Sequence, residues 1–215
     1  MADEAEKRIG IAVRKHFDRR LFAVLILAVL CPALATAMTV IPPSFPELVA
    51  ESSTIVRGRV TELSARKVAG ARGAMIKTFV TFRVSSALKG ANQNEEITLS
   101  FLGGQVGDER LEVPGMPAFD VGAEDYLFIT TTGGICPLVG AMHGRYRLIT
   151  PQKEGRPYVA RDDHAPLVRV SDVIKPMQSA GSLRALSDGS SALTPQEFEK
   201  LVVAEIKQPS GRARP

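Results

Sequence analysis

Val56-Arg57-Gly58-Arg59-Val60, Val80-Thr81-Phe82-Arg83-Val84 and Ile97-Thr98-Leu99-Ser100-Phe101 each set apolar or small residues against polar ones at every second position. Side chains on a strand point alternately to opposite faces, so this period, rich in β-branched and aromatic residues, predicts half-buried strands. Arg145-Tyr146-Arg147-Leu148 alternates in the same way, and Tyr158-Val159-Ala160 adds a short edge strand. Tyr126-Leu127-Phe128-Ile129 is apolar on both parities, which predicts a central strand covered on both sides. Between these lie Gly70-Ala71-Arg72-Gly73, Lys89-Gly90-Ala91-Asn92, Gly103-Gly104, Pro114-Gly115 and Gly133-Gly134, all of them turn chemistry. Closely spaced short strands without intervening helices predict a mainly β fold. A small antiparallel, OB-like barrel is the first expectation and a sandwich the second.

Two short helices flank the strands. Ser44-Phe45-Pro46-Glu47 has an N-cap serine with a glutamate three residues on, the pattern of a capping box, and this helix should end near Ser52. Thr194-Pro195-Gln196-Glu197 repeats the pattern with proline at the favoured first helical position. Phe198, Leu201, Val202 and Ile206 then recur at helical spacing, so a helix over 194–207 should lay an apolar stripe on the strands or on a partner. Residues 178–193, rich in Ser, Gly and Ala, read as a linker, and 208–215 as a disordered tail.

The N-terminus predicts export. Lys7, Arg8, Arg14, Lys15, Arg19 and Arg20 form a basic region, Leu21 to Cys31 is an uncharged apolar run, and Ala35-Thr36-Ala37 is a small-x-small cleavage pattern. The run is shorter than the roughly 20 apolar residues of a spanning helix. A signal peptide over 1–37, cleaved after Ala37, therefore outranks a membrane anchor over 21–41, and a β-domain over 38–177 follows. Asp18-Arg19-Arg20-Leu21-Phe22 also resembles a twin-arginine signal, whereas Leu30 before Cys31 departs from the lipoprotein pattern. The expected location is periplasmic or secreted, with membrane association only if the signal segment is retained. The exported chain would keep one cysteine, Cys136, so its fold must rest on its core and not on a disulfide.

Composition narrows the chemistry. The whole chain carries +4, and beyond residue 37 there remain 21 basic against 19 acidic residues, too even a balance for a nucleic-acid footprint. There is no Trp and there are three Tyr, few platforms for stacking bases or sugars. Gly103-Gly104-Gln105-Val106-Gly107 is followed by turn and strand residues, so it reads as a glycine-shaped hairpin or bulge and not a phosphate loop. Asp162-Asp163-His164 is the tightest group of potential metal ligands and reads as an exposed polar turn. Cys136 and His143, seven apart, lack an orienting group nearby in sequence, and Cys136 reads as a buried thiol. No catalytic, metal or cofactor-binding residue is assigned, and no cofactor is expected. Arg57, Arg59, Arg83, Arg145 and Arg147 fall on the polar parity of their strands. They could form one face for an anionic ligand, or a solvated face with acidic neighbours.

The order of several segments is distinctive: Val56–Val60 (Val-x-Gly-x-Val), Thr78–Gly90 ending in Leu-Lys-Gly, Phe101–Gly104 (Phe-x-Gly-Gly), Val113–Phe119 (Gly-x-Pro-x-Phe), Leu127–Ile129, Leu138–Gly140 and Gly144–Tyr146. In this the chain, over roughly 45–150, resembles a widespread group of uncharacterised exported bacterial proteins; Pro114 is a small departure. The resemblance implies a secreted β-domain and carries no activity, cofactor or catalytic residue. Barrel-shaped metalloprotease inhibitors of the netrin-like type offer a fold-level analogy, but they act through a cysteine at the mature N-terminus, where this chain has Met38. The expected function is an exported, non-enzymatic binding domain for an unknown protein or envelope component. The alternatives are an envelope-associated structural or anchored protein and a hydrolase of unknown class.

Overall fold

Two of the alternating stretches extend well past their quoted residues. Val56–Val60 lies within β1 (Thr54–Gly70) and Val80–Val84 within β2 (Gly73–Lys89), which pair antiparallel as a ribbon of 17 residues a side. The computed structural model describes residues 41–70, 73–132, 134–151, 155–177 and 189–208. The expected signal segment, the linker residues 178–188 and the tail from 209 lie outside the described residues.

The remaining strands are β3 (Glu96–Leu102), β4 (Gly104–Val106), β5 (Glu109–Leu111), β6 (Glu124–Ile129), β7 (Arg145–Ile149) and β8 (Tyr158–Arg161). One six-stranded antiparallel sheet runs β3-β2-β1-β6-β7-β8, and β4-β5 form a separate hairpin. The fold is mainly β, with β6 central and β8 at an edge as the residue pattern predicts. β3 and β8 are not paired with each other. Beyond β3's pairing with β2, the Leu102 N–H donates to the Ile135 carbonyl at 3.3 Å.

Gly58 shows why the β1 motif needs glycine: a Cβ there would come within 3.1 Å of Phe82 Cβ on the neighbouring strand. Beyond it, a register shift between Val60 and Glu62 inserts one extra residue in β1. This bulge moves the inward set from even positions (Val56, Gly58, Val60) to odd ones (Leu63, Ala65), which hides the strand from a simple two-residue count.

Each face of the sheet has its own core. On one face Ile55, Tyr126, Phe128 and Tyr146 pack with Phe45, Leu48, Phe198 and Val202 of the two helices, α1 (Phe45–Glu51) and α2 (Pro195–Lys207). On the other, Val56, Val60, Val80, Phe82, Leu99, Phe101 and Leu127 pack together with Cys136 and Leu138. Both capping boxes are present: the Ser44 and Thr194 hydroxyls accept from the Glu47 and Glu197 N–H groups, while those glutamates accept from the cap N–H groups. Phe198 sits within 6.3 Å, ring centre to ring centre, of Phe45, Tyr126, Phe128 and Tyr146. Full burial of such a ring contributes about 1.5–3 kcal/mol.

The end of the expected linker is fixed structure. Gly189–Ser191 make a 3₁₀ turn, Ala192 is buried, and Leu193 donates to the Leu167 carbonyl and accepts from the Val159 N–H, both at 2.8 Å. These residues cover the β8 edge, which explains why a Ser/Gly-rich run is ordered there.

Candidate functional site: an apolar groove under a proline-rich strap

At the end of β3 the chain reverses through Gly103-Gly104 into the β4–β5 hairpin. Gly104 lies flat on the β1–β2 ribbon at φ +129, and a Cβ there would collide with the Thr78 hydroxyl oxygen. That hydroxyl donates to the Gly103 carbonyl at 2.8 Å and fastens the turn to the ribbon. After β5 the chain returns as an irregular strap, residues 112–120, in which Pro114 and Pro117 lack the N–H that a ladder needs.

Between strap and ribbon lies a groove of about 840 Å³. Leu63, Ala65 and Val80 line its ribbon side, Phe101 its β3 side, and Met116 and Phe119 its strap side. Its volume falls in the ~300–1,000 Å³ range of small-ligand sites. Among the described residues Glu112 is the one ionisable side chain lining it, and that carboxylate is paired with Arg110. The site can therefore shelter apolar surface and offer main-chain groups at its walls. Among the described residues that line it, no acid, base and nucleophile come together.

The strap is held by Arg145, whose side chain is fully buried. Its Nη2 donates to Asp125 at 3.0 Å and its Nη1 to Asp162 at 3.0 Å, with a second Nη1 bond to the Ala118 carbonyl. The guanidinium carbon stands 4.1 Å from the centre of the Phe119 ring, a cation–π contact. One planar fork thus joins β6, β7, the turn after β8 and the strap. Burial pushes the Asp125 and Asp162 carboxyls up from their ordinary range, against the pull of Arg145 on both.

The five arginines do not share one face. By strand register Arg57 lies opposite Tyr126, and Arg59 opposite Glu124 and Arg83, on the helix side of the sheet. Arg145 lies opposite Leu127, and Arg147 opposite Asp125, on the groove side. Each meets a carboxylate: Arg57 with Glu124 and Glu199, Arg59 with Glu124, Arg83 with Glu96, Arg145 with Asp125 and Asp162, and Arg147 with Asp120. Two of these serve packing. Arg145 is a buried tie, and Arg57, with the Tyr126 hydroxyl donating to Glu199 at 2.9 Å, seats α2 on the sheet.

Asp162-Asp163-His164 is not the exposed turn its polarity predicts. Asp162 accepts from Arg145, while Asp163 pairs with buried Arg161 at 2.5 Å and caps the Ala165 N–H at 3.1 Å. Both carboxylates are consumed in seating buried guanidinium groups, and the Arg161 fork also closes the carbonyl ends of the 3₁₀ turn at Val170–Ile174. Among the described residues no cluster of three metal-ligating side chains occurs. Cys136 is buried with its thiol pushed up by burial, and His143 is buried with its imidazole held down by burial and by Arg161. No hydrogen bond joins the two among the described residues.

Sequence reasoning reached Phe101–Gly104 and Val113–Phe119 as motif segments, and both line the groove. It missed Leu63 and Ala65, masked by the bulge, and the acidic partners Asp125 and Asp162. A carboxylate inside the otherwise apolar run Asp125–Ile129 was the available signal. The chain matches no family model, no curated protein and no solved structure. Among the described residues no helix is long and apolar enough to cross a membrane.

Proposed function

We propose that this chain is an exported, non-enzymatic binding domain that holds an apolar segment of an envelope protein in the groove between the strap and the β1–β2 ribbon. The observation carrying this reading is the groove itself: an apolar cleft in which Glu112, the one ionisable lining residue among those described, is already paired. Sites that bind without reacting need shape and apolar area more than convergent polar groups. The two motif segments that border the cleft, Phe101–Gly104 and Val113–Phe119, add support. Export rests on the basic, apolar and small-residue order of 1–37.

Two measurements test it. Expressed in a Gram-negative host, the chain should accumulate in the periplasm or medium with an intact mass beginning at Met38; a full-length mass in the membrane pellet contradicts export. Envelope proteins captured by the wild-type domain should be lost with Leu111→Trp, which adds bulk inside the groove. Equal capture by both proteins contradicts the groove as the binding site.

A further inference from the structure

β1 outruns its neighbour β6. β6 pairs with β1 from Thr54 to Arg59, and the last main-chain bonds on that side join Val60 to Ala123 and Gly122 at 2.9 Å. From Glu62 to Ala69 the strand pairs with β2 on its other side. Among the described residues no main-chain hydrogen bond reaches its outer edge there. A run of unpaired N–H and C=O groups is a template for a further strand. The β8 edge, by contrast, is covered through Ala165, Leu167 and Leu193, and on β3 the one charged side chain, Glu96, is already paired with Arg83.

The groove opens onto this edge. On β2 it is lined by Thr78 and Val80, which share the groove face, whereas on β1 Leu63, Ser64 and Ala65 all line it. Ser64 shares the other face with Glu62 and Arg66, opposite Phe79 of β2, so it meets the groove through its main chain. A strand laid along the edge would set every second side chain beside Leu63 and Ala65, in the groove. Its remaining side chains would meet Glu62, Ser64 and Arg66. Glu62 and Arg66 are exposed, and among the described residues neither has an ion-pair partner, whereas nearby Arg59, Lys67 and Arg83 each have one. Lys77, a second cation, lies directly opposite Arg66 on β2. The Arg66 guanidinium is held over the Phe79 ring at 3.9 Å, so it is positioned in advance.

We propose that the partner segment held in the groove is an extended strand that adds antiparallel to β1 over Glu62–Val68, with the residue order acidic, apolar, any, apolar, basic. The acidic residue faces Arg66 and the basic one Glu62, while the two apolar side chains lie beside Ala65 and Leu63. Antiparallel is the sense in which β2 and β6 already meet β1. The paired stretch ends at Glu62, because Gly122 and Ala123 occupy the edge at Val60. This rests on the groove reading above and adds the partner's backbone form, direction and charge order.

The probe is a fluorescently labelled peptide, Thr-Thr-Glu-Val-Thr-Val-Lys, titrated with the protein as it accumulates from full-length expression and followed by anisotropy. Binding should saturate and should weaken with added salt. A peptide with its Glu and Lys exchanged should bind roughly tenfold more weakly. The double variant E62K/R66E, with its folding checked by far-UV circular dichroism, should reverse that preference. Main-chain amides of a strand point alternately to its two sides. N-methylation of both Val amides, or instead of the Glu, central Thr and Lys amides, should therefore abolish binding in one case and leave it in the other. No saturable binding, equal affinity for the two charge orders, a preference that the variant does not reverse, or equal tolerance of both methylations overturns the strand. Leu111→Trp separates that failure from failure of the groove reading. If it abolishes peptide binding while charge order has no effect, the groove stands and the strand falls. If the peptide binds Leu111→Trp as tightly as wild type, the groove reading falls and the strand with it.

Discussion

The two faces of the sheet are built from the same strands and closed by different means. On the helix side, α1 and α2 deliver whole aromatic and aliphatic side chains into the core, and Phe45, Leu48, Phe198 and Val202 are buried against the strands. On the strap side, an irregular segment with two prolines lies over the ribbon, tied down through Arg145 and by Met116 and Phe119 packed against the core. A helix fills the space it covers because its side chains project densely from one stripe. A strap held at one end by a guanidinium leaves room beneath it. Each face thus keeps a buried core, and the opening lies on the strap side.

That contrast is open to attack from either side. The largest effect should come from the helix side: Phe198→Ala empties the centre of the aromatic cluster and should cost about 4 kcal/mol in urea unfolding. Partner capture by the protein that remains folded should be unchanged. Arg145→Leu should cost somewhat less, about 3 kcal/mol, because Asp162 is 18% exposed and retains some water once its partner is gone. Its distinguishing result is loss of partner capture, and Arg145→Lys should restore little, since an ammonium cannot reproduce the three-way fork.

Acid should separate the faces by sign. On the helix side the Thr194 hydroxyl and N–H hold Glu197 below its ordinary 4.5. At Asp172 burial pushes the carboxyl up, but the hydrogen bond and charge of Lys175, with Arg169 behind them, outweigh it and hold the group below 3.8. Groups with lowered folded values add stability that is present above the unfolded value and lost as pH falls through the folded one. Asp125 and Asp162, raised by burial, do the opposite: the folded state holds their protons more tightly, so acid does not remove stability through them. Hydrogen exchange followed downward from pH about 5 should show Pro195–Lys207 losing protection before Glu124–Ile129. The reverse order would contradict the assignment of charges to the two faces.

The smallest effect is expected at the exposed arginines. Arg83→Ala removes a surface pair with Glu96 and should change stability by less than about 0.5 kcal/mol, with partner capture intact. A loss of capture there would revive a basic ligand face.

What could be read from the residues, and what could not, follows the range of the interactions. Strand period, the double-sided burial of Tyr126–Ile129 and both capping boxes are local, and each is where the pattern puts it. The distal ribbon was hidden because one inserted residue at the bulge reverses the parity of everything after Val60. Arg145 looked like a solvated position because its partners, Asp125 and Asp162, lie 20 and 17 residues away, and only the folded sheet brings them to it. The groove gathers segments from Leu63 to Phe119. Its glycines and prolines were legible as turns, whereas their convergence depends on the Thr78–Gly103 bond and the Arg145 tie, which no local pattern encodes.

The most direct test of the strap face as the working face is photo-cross-linking in the envelope of an expressing cell. A benzoylphenylalanine is placed either at Met116 in the groove or at Leu201, exposed on α2. The account predicts a discrete adduct from position 116, abolished by Leu111→Trp, and none from position 201. An adduct from position 201 alone, or one at position 116 that survives the filled groove, would contradict it.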